Sequence, residues 1–351
     1  MQSAKAIATL GRDGLDLTPD RDMSSLLRCC VVVILACAGA VAAADKVPKA
    51  PADYPVKPVR LVMPAPPGGT IDPITRILAE ALGRDLGQNF VVDTRPGANF
   101  NVGMALVAKS DPDGYTLVIA SSGALATNIS LYAKLPFHPV RDFDPIALYG
   151  DVPNILVVNL SLPPKTLKEF TAYVRANPGK LNYGSTGNGS SMHLAAELFK
   201  SITGTQMTHI PYVAAGVATQ DLIAGRTQVM FQLVTGVAPF VKSERVRAIA
   251  VLSKKRSSTL PEVPTTAEAG MPELLSSAWF GVLAPKGAPR PIIAKLNREM
   301  NRLLEDPAFR RRIVDIGVEP MGGSPEDFAR FLDSEIRKWA EVVRVSGARI
   351  D

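Results

Sequence analysis

A chain of 351 residues is long enough for two ordinary domains, each with a sizeable core. Its 46% apolar and 21% charged residues are the balance of a soluble globular protein and argue against both disorder and a polytopic membrane protein. The formal charge of +6 is scattered: the densest runs, Lys254-Lys255-Arg256 and Arg310-Arg311-Arg312, are short and lack interleaved aromatics, so no nucleic-acid partner is expected.

From Met23 the chain reads MSSLLRCCVVVILACAGAVAAADK, with one Arg28, an apolar run of about a dozen residues, and small residues ending at Ala42-Ala43-Ala44. That is the layout of a secretory signal peptide cleaved after Ala44. The run is shorter than the roughly 20 apolar residues that span a membrane. Asp13, Asp16, Asp20 and Asp22 give residues 1–22 the wrong charge for the start of such a segment, so translation is expected to begin at Met23. Lipid attachment at Cys37 is the alternative, and Leu35 fits it poorly. Cys29, Cys30 and Cys37 are the three cysteines, so the exported chain is expected to have neither thiol nor disulfide.

After a Pro-rich leader, VRLVMPA reads as a strand, and DPITRILAEALGRDLG as a helix with Ile74, Ile77, Leu78, Ala81 and Leu82 at helical spacing. FVVDTR, VGMALVAKSD and YTLVIASS follow as strand, helix and buried strand, a βαβαβ series that predicts a parallel sheet. DFDPIALYGDVPNILVVN carries two strand-like runs interrupted by Gly150 and Pro153 and reads as a crossing between domains. A second α/β series runs from TLKEFTAYVRANPG through TQVMFQLV to VRAIAVLS, and SSAWFGVLAP is the expected return crossing. The last helix starts at Ser324-Pro325-Glu326-Asp327, where Ser324 can cap, and its stripe Phe328, Phe331, Leu332, Ile336, Trp339 and Val343 reads as core.

Two stretches place glycines where a strand hands over to a helix: MPAPPGGTIDP, and NYGSTGNGSSMHL with its added hydroxyl and amide donors. Such loops expose N–H groups and a positive dipole end, which suits an anion. At the carboxyl ends of parallel strands, two of them would face each other across a cleft and suit a small anion with oxygens at both ends. Enzyme signatures are absent: there is no Walker loop, Gly187-Asn188-Gly189 does not continue into a dinucleotide fingerprint, and Gly189-Ser190-Ser191-Met192-His193 fails as a nucleophile elbow. His138, His193 and His209 are far apart in sequence, show no metal-ligand spacing and read as structural. Neither a metal nor a cofactor is expected.

The chain resembles the receptor family of tripartite tricarboxylate transporters, the Bug-type periplasmic solute-binding proteins, from about Tyr54 to Asp351. The resemblance is carried by YPVKPVRLVMPAPPGGTID, AKSDPDGYTLV, KLPFHPVRDFDPIAL, NPGKLNYGSTGNGSSMHLAAELF, LPEVPTTAEAG and SAWFGVLAPKGAPRPII, among others. It implies an α/β type 2 periplasmic binding fold, two α/β lobes joined by two crossover segments with a ligand cleft between them. The expected parts are a signal segment over 1–44, a first lobe from 55–153 and 277–351, and a second lobe over 154–276. It also implies a carboxylate held by Pro67, Gly68, Gly69, Thr70 and Ile71, with Asp72 bracing the turn and Ser121 and Ser122 beside it. Ser185, Thr186, Gly187, Asn188, Gly189 and Ser190 would close from the opposite lobe, with Tyr212 and Gln232 on the cleft wall.

Three departures bear on specificity. After Arg95-Pro96 the family usually reads Gly-Ala-Gly-Gly-Asn, where this chain has Gly97-Ala98-Asn99-Phe100-Asn101. A usual lysine is Val213, and a usual aspartate is Gln232. Loss of a basic and an acidic group together is what either a changed ligand or a neutralised pair would produce; on the first alternative the expected ligand has no amino group and is a mono- or dicarboxylate with an apolar or aromatic body. The expected function is a monomeric periplasmic receptor for a small organic carboxylate, not an enzyme, and the resemblance implies that it hands this ligand to a two-subunit membrane permease. Its alternatives are the same fold used as a ligand sensor for a signalling partner, or a secreted enzyme.

Overall fold

The computed structural model describes residues 53–68 and 70–350. The expected signal segment with its cleavage site, the three cysteines and Gly69 lie outside the described residues.

The first three strands, β1 (Val59–Met63), β2 (Phe90–Thr94) and β3 (Thr116–Ser121), are parallel in the order β2-β1-β3. Their crossovers are α1 (Ile71–Leu86) and α2 (Asn101–Ala108), as the alternating pattern predicts. Helix α1 buries Ile74, Leu78, Ala81 and Leu82 and stops at Gly87, whose left-handed backbone lets its N–H reach the Gly83 carbonyl. β3 runs into a single π turn, Gly123–Thr127, and the short helix α3 (Asn128–Leu131).

The segment read as two interrupted runs is one strand of 16 residues, β4 (Phe143–Val158). Pro153 does not break it because the strand changes partners there. Phe143 to Pro153 pair antiparallel with β9 (Ser277–Pro285), absorbing irregularities at Pro145/Ala147 and Leu148/Gly150. From Asn154 to Val158 the strand lies between β7 (Val229–Leu233) and β8 (Arg247–Val251). At the switch Asn154 N–H donates to the Ser276 carbonyl (2.9 Å), Ser276 Oγ donates to Asn154 Oδ1 (2.9 Å), and Asn154 Nδ2 donates to the Phe231 carbonyl (2.9 Å). Both crossings are thus stitched together through two buried side chains.

The second lobe adds β5 (Asn182–Ser185) and β6 (Thr208–Pro211), ordered β4-β7-β5-β6. Helices α4 (Leu167–Ala176) and α5 (Ser191–Thr203) pack on one face of this sheet, with α6 (Ala215–Ile223) and α7 (Val234–Lys242) on the other. On the first lobe, α1, α8 (Arg290–Glu305) and α9 (Pro307–Asp315) cover one face. The two-residue strand β10 (Glu319–Pro320) pairs with β4. Helices α2 and α10 (Pro325–Ser346) cover the other face. α10 opens with a full capping box: Ser324 Oγ accepts from Asp327 N–H, and Asp327 carboxylate accepts from Ser324 N–H. Among the described residues no helix is long and apolar enough to cross a membrane.

Candidate functional site

The two glycine loops meet at one cleft of about 340 Å³ between the sheets. From the first lobe, Pro66, Thr70 and Ile71 line it at the start of α1, with Ser121, Ser122 and Gly123 at the end of β3. Thr186, Asn188, Gly189 and Ser190 line it from the second lobe at the start of α5. Phe100, Met192, Leu233, Phe280 and Trp339 add an apolar wall, interrupted by Asn99, Thr127, Ser191 and Ser277. None of the described lining residues carries a charge.

Negative charge would therefore be met by hydroxyls, amides and helix ends rather than by a fixed cation. The first N–H groups of a helix have no partner within it, and the partial positive charge at that end favours an anion. Pro73 has no N–H and removes one donor from the first turn of α1. Ser121 is buried, and its Oγ has no hydrogen-bond partner among the described residues.

The other expected residues stand behind this lining. Pro67 and Gly68 are exposed; Gly68 N–H donates to Asp72 Oδ2 (2.9 Å), and Arg76 Nε donates to Asp72 Oδ1 (2.7 Å). Asp72 thus ties the first loop to its helix. Ser185 and Gly187 brace the second loop: Gly187 N–H donates to Ser185 Oγ (3.1 Å), and the Gly187 carbonyl accepts from Ser190 Oγ (2.9 Å). Ser190 also caps α5, its Oγ accepting from His193 N–H (3.2 Å). Tyr212 and Gln232 are not among the lining residues. Tyr212 Oη donates to Asp221 (2.9 Å); Gln232 is buried, donating to Thr219 Oγ1 (3.2 Å) and accepting from Leu233 N–H (2.8 Å). Val213 is 99% exposed.

Histidines distant in sequence come together behind the second loop. His193 and His209 stack at 4.2 Å, with Tyr183 stacked 5.0 Å from His209. Gly189 N–H donates to His193 Nδ1 (3.2 Å), which places the imidazole proton on Nε2. His209 Nε2 lies 2.6 Å from Ser185 Oγ. Burial, reinforced by His209, drives the His193 pKa down to about 4; burial also lowers His209. A neutral imidazole suits an acceptor from a backbone N–H. Among the described residues no group of three His, Cys, Asp or Glu side chains could hold a metal ion.

Sequence reading missed the apolar wall. Trp339 belonged to a stripe read as core, and it is nearly buried, yet its ring reaches the cleft. Its Nε1–H and that of Trp279 both donate to Glu335 Oε2, each at 2.9 Å. The glutamate one turn earlier, able to hold an indole N–H, was the available signal.

Residues 74–347 match the family described as tripartite tricarboxylate transporter family receptor. Protein BugT of Bordetella pertussis is 39% identical over 298 residues, covering 85% of this chain and 91% of BugT. An R. palustris protein solved with adipate is 36% identical with a TM-score of 0.74, covering 85% of this chain and 100% of that one. MatC from Rhodopseudomonas palustris, solved with bound malate, is 32% identical with a TM-score of 0.70, covering 83% and 100%. The fold described above, two α/β lobes around one cleft, is that of these periplasmic binding proteins, and the chain belongs to the tripartite tricarboxylate transporter receptor family.

Proposed function

We propose that this protein is a periplasmic receptor that binds a small organic carboxylate between its lobes and delivers it to a two-subunit membrane permease. The observation that carries the reading is the uncharged, hydroxyl-lined end of the cleft, where Ser121 Oγ is buried without a hydrogen-bond partner among the described residues. A buried unsatisfied hydroxyl costs about 1–3 kcal/mol, and a carboxylate oxygen accepting from it removes that cost. Thr70, Ser122, Thr186, Asn188 and Ser190 surround the same space, and the adipate and malate in two relatives support a carboxylate as the occupant.

The apolar wall favours a mono- or dicarboxylate with an apolar or aromatic body. This argument replaces the one from Val213 and Gln232, neither of which lines the cleft. Closure about the crossings near residues 150–156 and 272–280 would bring the lobes, 55–153 with 277–351 and 154–276, onto the ligand. The partner change at Asn154 and the start of β9 at Ser277 support those boundaries.

A thermal-shift screen tests the reading with aliphatic and aromatic carboxylates, citrate, aspartate, nucleotides and sugars. A cognate carboxylate at about 100 times its Kd should stabilise the protein by roughly 2.7 kcal/mol. Shifts with nucleotides or sugars alone would reject it, and a shift with aspartate or citrate alone would reject the apolar-body argument.

A further inference from the structure

Four consecutive residues entering α2 have positive φ: Gly97 at +136°, Ala98 at +44°, Asn99 at +51° and Phe100 at +76°. Of the four described non-glycine residues with positive φ, three are in this run, so the strain is concentrated here. A bulky side chain is a genuine outlier in that region. Such outliers persist only where their surroundings over-determine them, and they cluster at ligand sites.

The surroundings are specific. Buried Asn128 donates from Nδ2 to the Asn99 carbonyl and to Asn101 Oδ1, both at 2.8 Å, and its Oδ1 accepts from Asn99 Nδ2 at 2.9 Å. Asn101 N–H donates to the Ala98 carbonyl (3.1 Å), and Met104 N–H to the Phe100 carbonyl (3.2 Å). The network fixes the backbone without using the Phe100 ring. That ring lines the cleft instead, with Cε2 3.8 Å from the position a Cβ would take on Gly123; Ser121 Oγ lies 3.7 Å from the same point. A glycine would adopt this backbone without strain and leave the space beside Ser121 open.

We infer that Phe100 is the specificity-determining residue of the cleft, an inference that rests on the carboxylate reading above. Its ring fills the volume next to the hydroxyls that receive the carboxylate and presents an apolar edge there. The ligand carbon adjoining the carboxylate must then be unsubstituted or apolar. A hydroxyl directed at the ring, as malate carries beside one of its two carboxylates, would lose its water there and gain no hydrogen bond from the ring. Adipate, with methylenes in that position, keeps its contacts.

Calorimetry with adipate and malate on the exported chain tests this. The protein should bind adipate at least about tenfold more tightly than malate. Phe100→Gly and Phe100→Asn both suit left-handed backbone, so one can stand in if the other fails to fold. Each should bring the two affinities within about threefold, chiefly through tighter malate binding. An unchanged adipate-to-malate ratio in a variant that still binds would overturn the assignment of Phe100. A wild-type protein that binds neither diacid nor any other carboxylate would overturn the carboxylate reading instead.

Discussion

Gly189 shows how much one missing side chain does in this cleft. Its φ is +77°, and a Cβ there would lie 2.2 Å from Leu131 Cδ1, on the short helix of the opposite lobe. Leu131 is itself nearly buried and has little room to retreat. Gly189→Ala should therefore hold the lobes apart and cost at least about 1 kcal/mol of intrinsic stability from backbone strain. We expect at least about tenfold weaker binding of the carboxylate that the screen ranks first, measured by calorimetry. Affinity equal to wild type would mean that the lobes need not meet at this point. The glycine was legible in sequence because a glycine-rich turn before a helix is a local pattern. Its contact with Leu131 was not, because nothing local links residues in two lobes. The same holds for Phe100 and Trp339, whose side chains enter the cleft only through tertiary packing.

Secondary structure was legible to the extent that each element had its own local signal. The βαβαβ series and the capped final helix carried periodicity and a capping box. Helix α7 did not: Gly236 and Pro239 lie inside it, and both normally mark a loop. β4 was read as broken because Gly150 and Pro153 normally interrupt a strand, yet its change of partner accommodates both. That strand also carries a titration. Asp151, opposite Trp279 on β9 and Glu319 on β10, has its pKa raised to about 6, first by burial and then by repulsion from Glu319 and Glu335, against a hydrogen bond from Ser277. Between the ordinary carboxylate value and about 6, the folded state holds more protons than the unfolded state. Stability contributed by this group therefore falls as pH rises across that window and is level above it. Asp151→Asn should raise stability at neutral pH by up to about 3 kcal/mol. Urea midpoints measured at intervals from about pH 4 to pH 7 should show the gain appearing across that window. A gain independent of pH would show that Asp151 does not titrate there.

At the scale of the molecule, a binding protein of two lobes suggests two folding units joined by flexible crossings. β4 argues otherwise. One 16-residue strand supplies hydrogen bonds to the first sheet through β9 and to the second through β7 and β8. Asn154 and Ser276 bind the two crossings to each other at the point of exchange. Neither sheet can lose β4 without the other losing it too, so any opening of the cleft would be a twist along β4 and not a parting of independent bodies. The consequence concerns cooperativity. Amides on both halves of β4 should exchange with deuterium only through global unfolding, at a common free energy, while the exposed loops exchange by local opening. Native-state hydrogen exchange measured strand by strand would reveal two separate energies if the lobes unfolded independently. If they share one, a ligand touching side chains near either end of the cleft protects the whole chain, which then answers its ligand as a single cooperative unit.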